Sequence, residues 1–230
     1  VIRSQRTDDS VKIYHRNLFL KRHNIDAFIQ AGTAWAPSSD GTTTVTFSIP
    51  TTGSSFAANA YGANSEIPNG FAPISSSEAN FFRGLLEEVS TFAAINFVEV
   101  PDDGTEAGTL RIAWTNMALS AGSRLAFGWA WLPQEHIVAG DIWLQRSMLS
   151  SVSGTESTII HELGHALGLS HPNNGSIEVD ASLAARDYSV MTSFQVSTVF
   201  PSAVYSDIKP ESFMWLDIQA LTELYGVSDA

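Results

Sequence analysis

The order of periodic segments predicts an α+β fold, in which a twisted sheet is backed by two helices and a smaller lower subdomain follows the second helix. Three observations carry this reading. Ser75 to Ala94 places Phe81, Leu85, Val89 and Phe92 at helical spacing behind a serine run and Glu78, an N-terminal capping signal. Short β-type runs stand on both sides of that helix. A second helical stretch, with two histidines four residues apart, comes after the last of them.

In chain order, residues 17–31 read as an amphipathic helix and 42–49 as a strand. The glycine- and serine-rich stretch 51–77 reads as a long loop rather than a linker. Strands are expected at Ile95 to Val100, Thr109 to Trp114, Ala126 to Leu132 and Ile142 to Leu144. The second helix should start near Gly154 or Thr155, where Glu156 favours its N-terminal end. Asn173-Asn174-Gly175-Ser176 is a turn. The chain has no internal repeat.

Chemistry concentrates in His161-Glu162-Leu163-Gly164-His165-Ala166-Leu167-Gly168-Leu169-Ser170-His171. Histidines four apart on a helix share a face, so His161 and His165 can reach one metal ion. Glu162 can address a zinc-bound water rather than the zinc, and Gly168 frees the chain to bring His171 round as a third ligand. Three protein ligands leave a fourth position open, which is the arrangement of a catalytic zinc site. A lone helical histidine is more often an ordinary core or surface residue; the glycine and third histidine at this spacing make that reading improbable here.

HELGHALGLSH resembles the zinc motif of the metzincin peptidases, and the following Pro172 is similar to the serralysin branch. Tyr188-Ser189-Val190-Met191 resembles the metzincin Met-turn, whose methionine forms a hydrophobic floor beneath the three imidazoles. Trp35 with Thr44 to Ser48, Ile95 to Val100, Ala126 to Pro133, and Leu216 to Gly226 resemble, in order, the opening strand, the second strand, the strand at the upper rim of the cleft and the closing helix of a serralysin catalytic domain. The resemblance implies a metzincin-like α+β fold: a twisted, mostly parallel sheet with an antiparallel edge strand, a zinc helix, a closing C-terminal helix, and an active-site cleft between upper and lower subdomains. It also implies a secreted, extracellular zinc endopeptidase.

Two departures from that family stand out. Where serralysins carry a tyrosine two residues past the Met-turn methionine, able to join the zinc and stabilise the oxyanion, this chain has Ser193. Loss of one oxyanion donor costs on the order of a hundredfold in turnover; Tyr188 and Tyr205 are the candidate substitutes, with Ser193 itself. The glycine- and aspartate-rich calcium-binding nonapeptide repeats are also missing from this sequence. Calcium has no clear motif: Asp40-Gly41 and Asp102-Asp103-Gly104 read as turns that are at most candidate calcium sites, and Asp141 reads as a turn or strand-end residue. His15, His23 and His136 have no companion at ligand spacing and read as ordinary polar residues.

Composition sets outer bounds. At 230 residues and 44% hydrophobic the chain can bury a full core, and length alone allows one large domain or two small ones. No apolar run approaches the roughly 18 residues of a membrane span. The sequence begins at Val1 without a signal-peptide hydrophobic region, so it reads as a mature or cut form. Lack of cysteine excludes disulfides, cysteine ligands and a cysteine switch.

The net charge of −12 divides into +4 over residues 1–22 and −16 over the rest. Residues 1–22 therefore read as a prosegment remnant, an arm across the body or a solvated terminus, ahead of a catalytic domain at 23–230. An acidic body argues against nucleic acid as a partner.

The resemblance implies an extended peptide or protein substrate pairing with the edge strand near Phe127 to Leu132, and a pocket wall at Thr192 to Ser202. Phe127, Trp129 and Trp131 are the candidate substrate-strand contacts, although strand aromatics equally serve as core. A proteinaceous inhibitor or the prosegment would be a further partner. Two other functions stay open: a zinc-stabilised binding or adhesion module with weak or lost catalysis, and a zinc hydrolase of non-peptide amides. Glu162 argues against the first, because a purely structural zinc has no use for a carboxylate beside it.

Overall fold

The computed structural model describes residues 24–29, 33–57, 60–61, 65–117, 120–121, 124–134, 136–149, 151–172, 179–180, 183, 186–192 and 210–229. These form an α+β structure on a mostly parallel mixed sheet. In chain order the elements are β1 (Thr43–Ser48), β2 (Ala72–Pro73), α1 (Ser76–Phe92), β3 (Ile95–Glu99), β4 (Leu110–Thr115), β5 (Ser120–Ala121), β6 (Arg124–Leu125), β7 (Gly128–Ala130), β8 (Asp141–Gln145), α2 (Val152–Ala166) and α3 (Trp215–Tyr225). The sheet order is β3-β1-β4-β8-β7. The β3/β1, β1/β4 and β4/β8 pairs are parallel, β7 closes the row antiparallel to β8, and β2 adds an antiparallel pair to β4. Strands β5 and β6 form a separate antiparallel pair.

Side-chain alternation divides two packed layers between the two faces of this sheet. Leu110 and Ile112 of β4 and Ile142 and Leu144 of β8 meet Phe82, Leu86 and Val89 of α1 and Ile159, Ile160 and Leu163 of α2 in the main core. Their neighbours Ala113 and Trp143 point the other way, into a second core with Tyr61, Val138, Phe56, Ile67, Phe71 and Trp129. Strands β4 and β8 are therefore buried along their whole length, as central parallel strands covered on both faces must be. The cover on the second face includes Phe56, Tyr61, Ile67 and Phe71, from a stretch read from sequence as a loop. It is held there by charge as well as apolar packing: Arg111 lies over Phe56, with its guanidinium carbon 3.7 Å from the ring centroid, and pairs with buried Asp102 at 2.9 Å.

Element boundaries mostly follow the expected pattern, with three corrections. Helix α1 begins after Ser75, whose hydroxyl accepts the Glu78 N–H while the Glu78 carboxylate accepts the Ser75 N–H, a complete capping box. Helix α2 starts at Val152, earlier than Gly154, because Ser151 supplies the N-cap by accepting the Gly154 N–H at 3.2 Å; its first turn then has no acidic residue. The strand expected over Ala126 to Leu132 is confined to β7, since Gly140, at φ +85°, turns the chain away after the Trp131 pairing. The helix expected over residues 17–31 falls largely outside the described residues. Within them residues 24–26 are helical, but Ile29 already pairs in a bridge with Leu169. Residues 1–22 lie outside the described residues. No helix among the described residues is long and apolar enough to cross a membrane.

Candidate metal centre

Helix α2 presents His161 and His165 one turn apart, and the chain then reverses to return a third imidazole. The reversal rests on Gly168 at φ +98°, where a Cβ would stand 2.1 Å from the Thr33 carbonyl oxygen, so only glycine fits. Carbonyls at the helix end, which lack helical partners, are taken up by distant side chains. The Trp35 indole donates to Ala166 at 3.0 Å, the Tyr225 hydroxyl to Leu167 at 2.8 Å and the Thr33 hydroxyl to Gly168 at 3.3 Å. Past the turn, Leu169 bridges Ile29 and the Ser170 N–H donates to the Phe28 carbonyl at 2.8 Å, which aims His171 back at the helix.

The three imidazoles converge. Nε2 of His171 stands 3.0 Å from Nε2 of His161 and 3.3 Å from Nε2 of His165. Ligands about 2.05 Å from a tetrahedral ion are about 3.3 Å apart, so these two separations are close to the edges of a coordination tetrahedron, and all three ligand atoms lie within 4.8 Å of one another. Nδ1 of His161 donates to the Val190 carbonyl and Nδ1 of His165 to the Leu169 carbonyl, both at 2.8 Å. Those bonds put the proton on Nδ1 and leave the Nε2 lone pairs facing inward. Burial, then repulsion from the other imidazoles, holds His161 well below the ordinary histidine range and His165 down at about 4; burial also lowers His171. Neutral imidazoles are what a metal requires, and this cluster can hold a metal ion. Among the described residues no second cluster of His, Cys, Asp or Glu is so arranged.

Glu162 is buried on the same helix, and burial alone pushes its carboxyl up to about 8. One of its oxygens, Oε2, has no hydrogen-bond partner. A buried carboxylate oxygen without a donor costs free energy in the bare protein. That penalty is the cause of the raised carboxyl, and a nearby cation would oppose it.

Met191 is fully buried, and its sulfur would lie 2.6 Å from a Cβ at Gly164, so the missing side chain of α2 gives the methionine its seat. Tyr188 is half-buried against the main core, and its carbonyl accepts the Leu216 N–H at 2.9 Å. Ser193, Tyr205 and the 193–202 part of the expected pocket wall lie outside the described residues. Along the edge strand the aromatics divide. Phe127 and Trp131 are 51% and 39% exposed, whereas Trp129 joins the second core, its indole donating to Glu66 at 2.9 Å. His136 is exposed and stacks on Trp131, with centroids 6.3 Å apart.

The acidic turns behave as turns. Asp40 accepts the Thr42 N–H and hydroxyl, and Asp103 accepts the Thr105 N–H and hydroxyl and the Glu106 N–H. Asp102 is occupied by Arg111 and Ser48. Asp141 does begin a strand, but it is buried and accepts the Tyr61 hydroxyl at 2.5 Å, which its position beside Ile142 and Trp143 did not announce.

Two contributors were not singled out from sequence: Ser189 as a bonding group, and Asp217 in the closing helix. The only available signal for Asp217 was an acidic residue in the first turn of a helix, which usually means no more than a favourable charge at the N-terminus. No protein-family model matches the chain, and no curated protein matches it.

Proposed function

We propose that this chain is a secreted zinc-dependent endopeptidase of metzincin, serralysin-like type, with His161, His165 and His171 as zinc ligands and Glu162 as general base and acid. One observation carries the reading: three imidazoles whose ligand atoms gather within 4.8 Å of one another, beside a buried carboxyl group whose Oε2 has no partner. Imidazole donors in this number suit zinc and leave a coordination position for chemistry.

Zinc bound there would activate water and polarise a scissile carbonyl. The rest of the work belongs to the chain. Glu162 takes a proton from the attacking water and returns it to the departing amine; with no serine or cysteine nucleophile involved, no acyl-enzyme forms. The surrounding apolar packing, with Met191 beneath the helix, keeps the ligands neutral and fixed. Among the described residues strand β7 ends the sheet, and an extended peptide would add along its outer edge, flanked by exposed Phe127 and Trp131. A cleft between the sheet-bearing part and the residues after Gly168 follows from the same reading.

The alternative, a zinc-stabilised binding module with lost catalysis, draws support from Ser193 standing where the resembled family has a tyrosine. The test is incubation of the purified chain with casein and quenched peptides, with and without a zinc chelator, alongside Glu162→Gln. Cleavage abolished by both chelator and substitution supports the endopeptidase. Stoichiometric zinc without cleavage counts against an active endopeptidase and favours the binding module or a latent form, with cleavage of non-peptide amides separating off the remaining hydrolase reading.

A further inference from the structure

Behind His161 runs a chain of hydrogen bonds that ends on a buried acid. His161 Nδ1 donates to the Val190 carbonyl at 2.8 Å. The N–H on the other side of that same peptide group, on Met191, donates to Ser189 Oγ at 2.9 Å. The Ser189 hydroxyl then donates to Asp217 Oδ1 at 2.5 Å. The other carboxylate oxygen, Oδ2, accepts the N–H groups of Val190 and Met214, each at 2.9 Å. Asp217 is fully buried at the start of α3, and Met214, the N-cap residue, has no side-chain oxygen to cap the helix. The carboxylate thus serves two elements together: it caps α3 and gathers the turn that carries Met191.

We infer that Ser189 and Asp217 are positioning residues for His161, acting through the Val190–Met191 peptide as an extended form of the carboxylate–histidine pairing that orients metal ligands. The inference rests on the metal-site reading above.

A peptide whose N–H donates to an anion-linked hydroxyl is polarised so that its carbonyl becomes a better acceptor, which favours the Nδ1–H tautomer and a more basic Nε2 on His161. The same bonds set the carbonyl's direction, because Val190 is held through its N–H by one carboxylate oxygen and the next peptide through Ser189 by the other. The peptide that receives His165 ends on a neutral group instead: the Leu169 carbonyl accepts from Nδ1, and the Ser170 N–H of that same peptide donates to the Phe28 carbonyl at 2.8 Å rather than to a hydroxyl linked to an acid. The two helical histidines are therefore oriented by different parts of the fold, one by the helix end and one by α3.

The experiment compares wild type, Ser189→Ala, Ser189→Thr and Asp217→Asn, with Ser48→Ala as a control that removes a buried hydroxyl bonded to Asp102, outside this relay. Two quantities are read: zinc affinity by competition with a chromophoric chelator, and the tautomer of His161 in the metal-free protein by nitrogen-15 NMR of the imidazole. Loss of such an outer partner is expected to weaken metal affinity about 10- to 100-fold. Ser189→Ala should show that loss and a reduced Nδ1–H population, Asp217→Asn should fall between it and wild type, and Ser189→Thr should recover both. Ser48→Ala should lower the melting temperature without moving either. If Ser189→Ala and Asp217→Asn lower only the melting temperature, the relay is a structural brace and the inference fails. If wild type binds no metal, the metal-site reading fails instead, and the NMR tautomer still decides whether the relay orients His161.

Discussion

Gly128 of the edge strand is pressed against Glu162 of α2: a Cβ on the glycine would come within 3.0 Å of the Glu162 Cγ and the Thr158 Cγ2, and 2.8 Å of the Trp143 carbonyl oxygen. Glycine is thus required by contact rather than by backbone angle. The strand proposed to receive substrate and the proposed general base share one close interface, so displacement of either moves the other.

Gly128→Ala should therefore disturb function more than its size suggests. The carbonyl cannot yield without breaking the β7–β8 ladder, so the strand or the glutamate must shift. Overpacking of this kind costs about 1 to 3 kcal/mol. Calorimetry should show the stability loss, and peptide cleavage should fall further than the loss of folded protein explains. Unchanged stability would show that the interface is looser than the contacts indicate.

Gly168→Ala attacks the turn that returns His171. Here both reasons for glycine act together, since φ is +98° and the Thr33 carbonyl occupies the Cβ position. A melting temperature lowered by several degrees and zinc affinity reduced at least tenfold are expected. An alanine variant with wild-type affinity would mean that His171 is aimed by something other than this turn.

Glu162→Gln keeps the side chain's shape and removes its ability to take a proton. Turnover should drop about 10²- to 10⁴-fold, the usual range for a general base, while zinc stoichiometry stays at that of wild type. Atomic absorption with single-turnover kinetics separates the two. Wild-type turnover in this variant would refute the role assigned to the residue.

Asp141 gives a pH dependence of stability that does not involve the metal centre. Burial, against the Tyr61 hydrogen bond and the Arg111 charge, pushes its carboxyl up to about 7 from an ordinary 3.8. Below the ordinary value the group is protonated both folded and unfolded and has no effect. Between about 4 and 7 the unfolded chain releases the proton and the folded chain retains it, so stability falls as pH rises, by at most about 1.4 kcal/mol per unit. Asp141→Asn removes this group's titration. Denaturant unfolding at pH 5 and pH 8 should show the variant gaining on wild type at the higher pH. An equal difference at both values would place the carboxyl in a more hydrated setting than the Tyr61 contact implies.

Much of the site was legible because it is local. Histidines four apart, a glutamate beside the first, and a glycine before the third occupy eleven consecutive residues, and helical geometry alone puts the first two imidazoles on one face. The capping box at Ser75 and Glu78 was readable for the same reason, and the strand at Thr43–Ser48 through its local alternation, although the residues it pairs with, from Ile95 and Leu110 onward, are distant in sequence.

Helix α2 starts ahead of the Gly154 and Glu156 signals because Ser151, itself a good cap residue, stands before both. The second core was not foreseen. Nothing in the irregular 51–71 stretch has a period, and its aromatics acquire a role only when β4 and β8 offer them a second apolar face.

The sequence by itself determined an α+β chain with a helical pair of histidines and a glycine-released third, since side-chain spacing and backbone freedom are properties of neighbouring residues. Tertiary structure alone decided that Thr33 and Trp35 secure the end of α2, that Gly128 and Gly164 make room for Trp143 and Met191, and that Asp217 reaches His161 through Ser189. Most of those contacts join residues well apart in sequence, up to 135 positions for Thr33 and Gly168, and their energies come from burial and hydrogen-bond closure, which exist only once the layers have packed.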